Sequence, residues 1–375
     1  MKIPLVKPDL PRLEQITPQL ESMLQSGRIS NFGPYSRELE EQISAFLDVK
    51  YALCISNATT GLTLLLSTLA PGSEVIVPSF TFAATIQALL WNSLVPVFAD
   101  IDIRSFTLSM QSLSTKITDK TSAIVAVNTF GNPCKIEYLR SIAEKYGLRL
   151  FYDSAHALGS RRRGVPLGQF GDAEVFSLSA TKLVACGEGG VITTNDEDIL
   201  EAVVDRRNYG LDKKSRDCTN VGTNGKITEF SAILGLWSLG SLNERVQQRN
   251  RMAQSYVNGL KSLPGLQFQE IEAEDTSSFK DFTVSIDSRQ FGLSRDQVRE
   301  LLAEAGIETR AYFSPPLHRT SLFSTSATEV VHLENTDLVA RSILSLPIYG
   351  GLREEDLDYI IETLCRIHVD AERLR

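Results

Sequence analysis

Leu148-Arg149-Leu150-Phe151-Tyr152-Asp153-Ser154-Ala155-His156-Ala157-Leu158-Gly159 joins an apolar run of strand length to an acid, then to small residues, a histidine and a glycine. A short run that is apolar on both faces fits a strand buried between two helical layers, and the acid stands where that strand ends. The same unit recurs outward in both directions. Strand candidates are Tyr51–Ser56, Glu74–Val77, Val95–Ala99, Ala123–Val127, Leu148–Tyr152, Ala173–Ser177 and Gly190–Thr194, most of them flanked by Gly, Pro, Asn or Asp. Between them, Ala58–Leu69, Ala83–Trp91, Ile136–Tyr146 and Glu197–Arg207 carry apolar residues at helical spacing, with Asp196 placed to cap the last. Alternating strands and helices predict an α/β unit on a mostly parallel seven-stranded sheet flanked by helices.

Beyond this unit, Thr228 to about Leu260 reads as one long helical stretch interrupted by glycines and broken at Pro264-Gly265. A strand at Asp281–Ile286, a helix at Ser294–Ala305 capped by Ser294, a Pro-rich irregular stretch and a helix at Arg353–Ile367 follow. The expected division is a large domain over 1–245 and a smaller C-terminal α/β domain over 246–375, and 375 residues suffice for two cores.

Composition narrows the function classes. Hydrophobic residues make up 42% and charged residues 22%, so extended disorder is not expected. The net charge of −8 and the absence of any run of five like charges argue against nucleic acid as a partner. No apolar stretch approaches the ~20 residues of a membrane span and the first residues show no apolar signal region, so the expected location is the cytoplasm. Five scattered cysteines without a CxxC fit reduced thiols, and the Asn57-Ala58-Thr59 sequon is discounted in that compartment. The four histidines never take metal-ligand spacing, so no metal is expected, and HExxH, GxSxG, GxxxxGK and GxGxxG are missing.

Open α/β sheets bind ligands beyond the carboxyl ends of their strands. After the first strand, Ser56-Asn57-Ala58-Thr59-Thr60-Gly61 opens a helix with small hydrogen-bonding residues, which serves as an ordinary cap or as a phosphate cradle. Asp153 ends the strand quoted above, either as a cap or as the partner of a buried cation. After Ala173–Ser177 comes Leu178-Ser179-Ala180-Thr181-Lys182, a lysine among small and apolar residues. Together the three features answer the needs of pyridoxal 5′-phosphate: amides for its phosphate, a carboxylate for its ring nitrogen and an amine for its aldehyde. An ordinary lysine is almost wholly ammonium at neutral pH, so burial or covalent bonding must remove that charge.

Gly33-Pro34 with Leu39-Glu40, Ser56-Asn57-Ala58-Thr59, Pro78-Ser79-Phe80-Thr81-Phe82-Ala83-Ala84-Thr85, the Asp153–Gly159 motif, Phe176–Lys182 and Gly187-Glu188-Gly189-Gly190 follow one another in order. In that order they resemble the sugar-nucleotide aminotransferases of the DegT/DnrJ/StrS group, which are fold type I pyridoxal-phosphate enzymes. The resemblance implies a homodimer with active sites shared between subunits. It implies that Lys182 attaches to the cofactor as a Schiff base and acts as general base and acid, and that Asp153 pairs with the pyridinium. It places His156 beside the phenolic oxygen, Ser177, Ala58 and Thr59 at the phosphate, and Phe82 on the ring face opposite Lys182. Within Gly222–Phe230, Asn224 resembles the asparagine that reaches the other subunit's phosphate. Gly225 and Lys226 depart from the aromatic and arginine common there. His318, in Pro316-Leu317-His318, resembles a histidine near the substrate, and Ser179 stands where many members carry His. Arg161-Arg162-Arg163-Gly164 reads as a solvated hairpin turn.

The implied reaction moves an amino group from L-glutamate or L-glutamine to a keto-deoxysugar linked to a nucleotide. Two alternatives share the scaffold. In sugar dehydratases related to this family the lysine is replaced by histidine, so Lys182 argues for amino transfer. A non-enzymatic regulator is expected to lack the lysine or aspartate, or to carry a DNA-binding segment.

Overall fold

The protein, described here by a computed structural model, is seen over residues 2–212, 214–324 and 331–373. Its central sheet contains β1 (Tyr51–Ile55), β2 (Glu74–Pro78), β3 (Val95–Ala99), β4 (Thr121–Val127), β5 (Arg149–Asp153), β6 (Ala173–Ser177) and β7 (Gly190–Thr194). The spatial order is β1-β7-β6-β5-β4-β2-β3, with parallel pairing throughout except at β7, which is antiparallel to both neighbours. The seven strands fall where the apolar runs put them. The ends of β1, β2, β4 and β5 shift by one or two residues, and the shift in β5 takes in Asp153, whose backbone pairs with both Val127 and Val175.

Two apolar layers cover the sheet. The Pro34–Leu47 helix packs Leu39, Ile43 and Leu47 on one face, and the Ala58–Leu66 and Ala83–Trp91 helices pack Leu62, Leu65 and Leu89 on the other. The Gly33-Pro34 start of the first of these helices has a specific cause. The buried Glu229 carboxylate accepts hydrogen bonds from the Tyr35 amide at 2.8 Å and the Ser36 amide at 3.1 Å, which caps a helix belonging to a distant stretch of chain. A Cβ on residue 33 would lie 2.5 Å from that carboxylate, so glycine fits there and proline follows at N1.

The helical stretch after Thr228 is two helices, Glu229–Leu239 and Leu242–Leu260, parted at Gly240-Ser241. The second carries the chain to a three-stranded antiparallel sheet of Leu266–Phe268, Phe282–Ile286 and Ile343–Leu346. Together with the helices Arg295–Glu304 and Glu354–Arg373 this sheet encloses its own core, which includes Tyr256, Val284, Leu302, Leu344 and Ile360. Ser294 caps its helix in a capping box with Gln297, and Asp196 accepts from the amides of Asp198 and Ile199, both as expected.

The arginine run does form a hairpin, Arg161-Arg162 against Val165-Pro166. Its tip at Arg163, Gly164 and Val165 is exposed as expected, but one of the three arginines is not. Arg162 is 4% exposed and pairs with Glu137, Glu272 and Asp275, so it ties the hairpin to the Ile136–Tyr146 helix and to the segment after Phe268. Three carboxylates compensate the desolvated guanidinium, a partnership that no local pattern announces.

Candidate functional site

At the carboxyl ends of β1, β5 and β6 lies a cavity of about 330 Å³, lined by Ala58, Thr59, Phe82, Asp153, His156, Ser177 and Lys182 among others. Seven of the nine residues proposed from the sequence therefore meet in one place.

The phosphate end is built by β1 and the helix it feeds. Asn57 caps the Ala58–Leu66 helix by accepting from the Thr60 amide at 2.8 Å, and the amides of Ala58 and Thr59 remain for a ligand at the positive end of the helix. β7 crosses close beneath. A Cβ on Gly190 would come within 2.7 Å of the Ala58 nitrogen, so this glycine lets the strand support the cradle from below. Ser177 sits at the end of β6, its hydroxyl accepting from the Ser179 amide at 3.3 Å.

Asp153 is 6% exposed and firmly held. Thr85 donates its hydroxyl to Oδ2 at 2.6 Å, and the Ala155 amide donates to Oδ1 at 3.1 Å. Because Thr85 spends its one proton on the aspartate, the Thr81 hydroxyl 2.8 Å away must be the donor in that pair. Burial pushes the Asp153 carboxyl up, against the hydrogen bonds from Thr85 and Ala155 and the charge of Lys182. A carboxylate disfavoured by burial is stabilised by a cationic ring N–H. The next residue, Ser154, donates to the buried Glu174 at 2.6 Å and accepts from Asn128 at 2.8 Å, which anchors the loop.

The Lys182 amine is pushed down to about 7, first by burial and then by the positive charge of Lys280, while Asp281, Asp153 and Glu188 act the other way. Much of it is thus a neutral amine at neutral pH. The rings of His156, Phe130 and Phe313 lie nearly parallel at the corners of a triangle, with centroids 6.0 Å (His156–Phe130), 6.1 Å (His156–Phe313) and 5.7 Å (Phe130–Phe313) apart. The His156 Nδ1 accepts from the Phe130 amide at 3.2 Å, so in the neutral ring Nε2 carries the proton and is a donor. Burial, with Lys182 and Lys280 nearby, pushes the imidazole well below its usual range and keeps it neutral. Phe82 stands at the cavity wall, 60% exposed.

Two expected residues lie elsewhere. His318 is buried behind the site, its Nδ1 2.7 Å from the Ser79 hydroxyl and its Nε2 3.2 Å from Asp337. It pins the loop after β2 to the 317–319 turn and does not line the cavity. Asn224 forms an isolated bridge with Asn208 and also does not line this chain's cavity, although the neighbouring Gly225 carbonyl accepts from the Ser56 amide at 2.8 Å. The sequence reading quoted Thr81 and Thr85 within a motif but gave them no role, because nothing local shows that Thr85 meets Asp153, 68 residues on. It also missed the cavity residues Glu188, Lys280, Asp281, Tyr312 and Phe313. Asp281 was read only as the start of a strand.

The residues fit pyridoxal phosphate: a buried carboxylate, a part-neutral amine and a helix start share one cavity within the range of small-ligand sites. Among the described residues no cluster of three or more His, Cys, Asp or Glu could hold a metal, and no helix is long and apolar enough to cross a membrane.

The sequence profile of the DegT/DnrJ/EryC1/StrS aminotransferase family matches residues 12–365. A dTDP-4-amino-4,6-dideoxy-D-glucose transaminase from Shigella dysenteriae is 32% identical over 363 residues, covering 97% of this chain and 98% of its own. A GDP-perosamine synthase from Vibrio cholerae is 30% identical, covering 96% and 97%. Among solved structures, DesI in the presence of its TDP-sugar product superposes with a TM-score of 0.93 at 36% identity, over 100% of this chain and 94% of that one.

Proposed function

The chain belongs to the DegT/DnrJ/EryC1/StrS aminotransferase family and is a pyridoxal-phosphate-dependent sugar aminotransferase, and from that premise we propose that it transfers nitrogen from L-glutamate or L-glutamine to carbon 4 of a 4-keto-6-deoxysugar on deoxythymidine diphosphate. The observation that carries this reading is the meeting of Asp153 and Lys182 in one cavity beside the Ala58 helix start. The names of relatives that act on dTDP-linked amino sugars, and the TDP-sugar product of DesI, support the choice of acceptor.

When bound, the cofactor supplies an electron sink for the charge released as a Cα–H bond breaks. The chain's own residues do the rest. The Ala58 and Thr59 amides and the Ser177 hydroxyl hold the phosphate, and Asp153 keeps the ring nitrogen protonated. The Nε2–H of His156 donates to the phenolic oxygen, and Phe82 closes one face of the ring. The Lys182 amine takes the proton from Cα of the amino-acid donor and in the second half-reaction returns one to the sugar carbon that receives nitrogen. The low proton affinity of this buried amine suits a group that must be a base at neutral pH. We propose a cytoplasmic homodimer, in which Asn224 of each copy reaches the phosphate of the other, with 1–245 as the cofactor-binding domain and 246–375 as the smaller one.

Purified protein supplied with cofactor should be yellow, and borohydride should fix an adduct that Lys182→Ala loses. A panel of nucleotide-linked keto sugars with L-glutamate or L-glutamine, read by mass, should show one sugar exchanging its keto oxygen for an amino group. A yellow, trappable protein that aminates none of them would refute the acceptor and leave the cofactor assignment standing.

A further inference from the structure

Lys280 and Asp281 form a buried pair inside the cavity. The lysine is 6% and the aspartate 5% exposed, and the ammonium nitrogen lies 2.8 and 3.0 Å from the two carboxylate oxygens. The pair is held rigidly from outside. The Lys280 amide donates to the Phe130 carbonyl, and the buried Arg249 donates to the carbonyls of Phe279 and Lys280. A desolvated ion pair is weak evidence for stability, since apolar residues of similar volume commonly serve as well, so its presence in a ligand cavity points to use.

The other cavity groups narrow that use. Asp153, Glu188 and Asp281 are acids, His156 is held neutral, and Lys182 is committed to the chemistry. Among the described residues lining the cavity, Lys280 is the one remaining cation. An amino-acid donor brings a carboxylate into this space, whereas the keto ring of the acceptor is uncharged. Resting on the aminotransferase reading above, we infer that the Lys280–Asp281 pair is the carboxylate subsite for the amino donor. With the donor bound, Lys280 turns part of its hydrogen bonding from Asp281 to the ligand carboxylate. When the sugar replaces the donor, the lysine returns to Asp281 and no unpaired charge faces the neutral ring. One cavity thereby accepts an anion and an uncharged ring in turn.

The test follows the two half-reactions separately by cofactor absorbance in holoenzyme. In Lys280→Met, the dissociation constant of L-glutamate should rise about 10- to 100-fold, as expected on losing a charge-assisted contact. The inhibition constant of glutarate, an unreactive dicarboxylate probe, should rise to the same degree. In the reverse half-reaction the affinity for the dTDP-linked amino sugar should stay within about 2-fold, since the inference gives Lys280 no contact with the ring, while the loss of its charge beside Lys182 changes the rates of both half-reactions alike. Asp281→Asn frees the lysine and should tighten glutarate, an opposite sign that general damage to the fold would not produce and that decides the matter if Lys280→Met does not fold. Equal losses of affinity for L-glutamate and for the amino sugar would show that the pair does not discriminate between them and would overturn the inference. Unchanged glutamate binding overturns it as well, and so does an effect confined to the nucleotide sugar, which would assign Lys280 to the diphosphate. Failure of the aminotransferase reading looks different: wild-type protein without colour or trappable adduct.

Discussion

Thr85 donates to Asp153 over 2.6 Å in a pocket floor where both groups are buried, and Thr81 stands behind it in the same chain of hydroxyls. Removing a donor from a buried carboxylate costs about 1–3 kcal/mol. Thr85→Val should therefore weaken cofactor binding roughly tenfold or more by absorbance titration, while Thr85→Ser, which keeps the hydroxyl, should hold it within about threefold. The hydrogen bond from Thr85 lowers the Asp153 proton affinity, so its loss moves the acid limb of the activity profile to higher pH. A shape defect alone would not shift that limb.

Lys182 gives a second prediction for a single residue. Its amine is pushed from the usual 10.5 to about 7 by burial and by Lys280. Between those values the unfolded chain binds more protons than the folded one. The stability of cofactor-free protein therefore rises with pH across that window, and the penalty is complete below it. Lys182→Met should stabilise the cofactor-free protein at pH 6.5 by about 1–2 kcal/mol in urea unfolding, with the difference fading towards pH 10. A lysine whose removal costs stability at pH 6.5 would contradict the buried, charge-opposed environment.

The elements most legible in the sequence are those with the simplest physics. Buried strands must be apolar on both faces and bounded by turn formers, which is why β1 to β7 stand out in an unaligned chain. What escaped depends on partners distant in sequence. Leu266–Phe268 and Ile343–Leu346 are three- and four-residue strands whose existence depends on Phe282–Ile286 lying between them. Arg162 finds its acids more than a hundred residues away at Glu272 and Asp275. Lys280 and Asp281 are adjacent charges at a strand start, where charge usually means exposure. The Asp153, Lys182 and Ala58 trio was legible because each stands at a strand's carboxyl end or shortly beyond it. Gly190 couples β7 to the phosphate cradle, and its replacement tests that coupling. Gly190→Ala forces a methyl against the Ala58 backbone, at a cost of about 1–3 kcal/mol for overpacking. The strain falls on the cradle, so cofactor affinity in an absorbance titration should drop well before the thermal midpoint does.

At the scale of the whole molecule, the chain's own cavity draws Asp153 and Lys182 from the carboxyl ends of the adjacent strands β5 and β6, but not Asn224. That residue is itself exposed, on a segment bridged to Asn208, with Val221 almost fully exposed nearby. An exposed apolar residue beside a polar one that has been assigned to a phosphate is an arrangement that a second copy of the chain would cover. If sites are shared across a two-fold axis, Lys182→Ala and Asn224→Ala subunits, each inactive as homodimers, should complement when unfolded together and refolded. Half of the random dimers are then mixed, and each mixed dimer has one site with both residues intact, so activity should recover to about a quarter of wild type. If each site uses its own Asn224, the mixed dimer has no intact site and the refolded mixture stays as inactive as its parents.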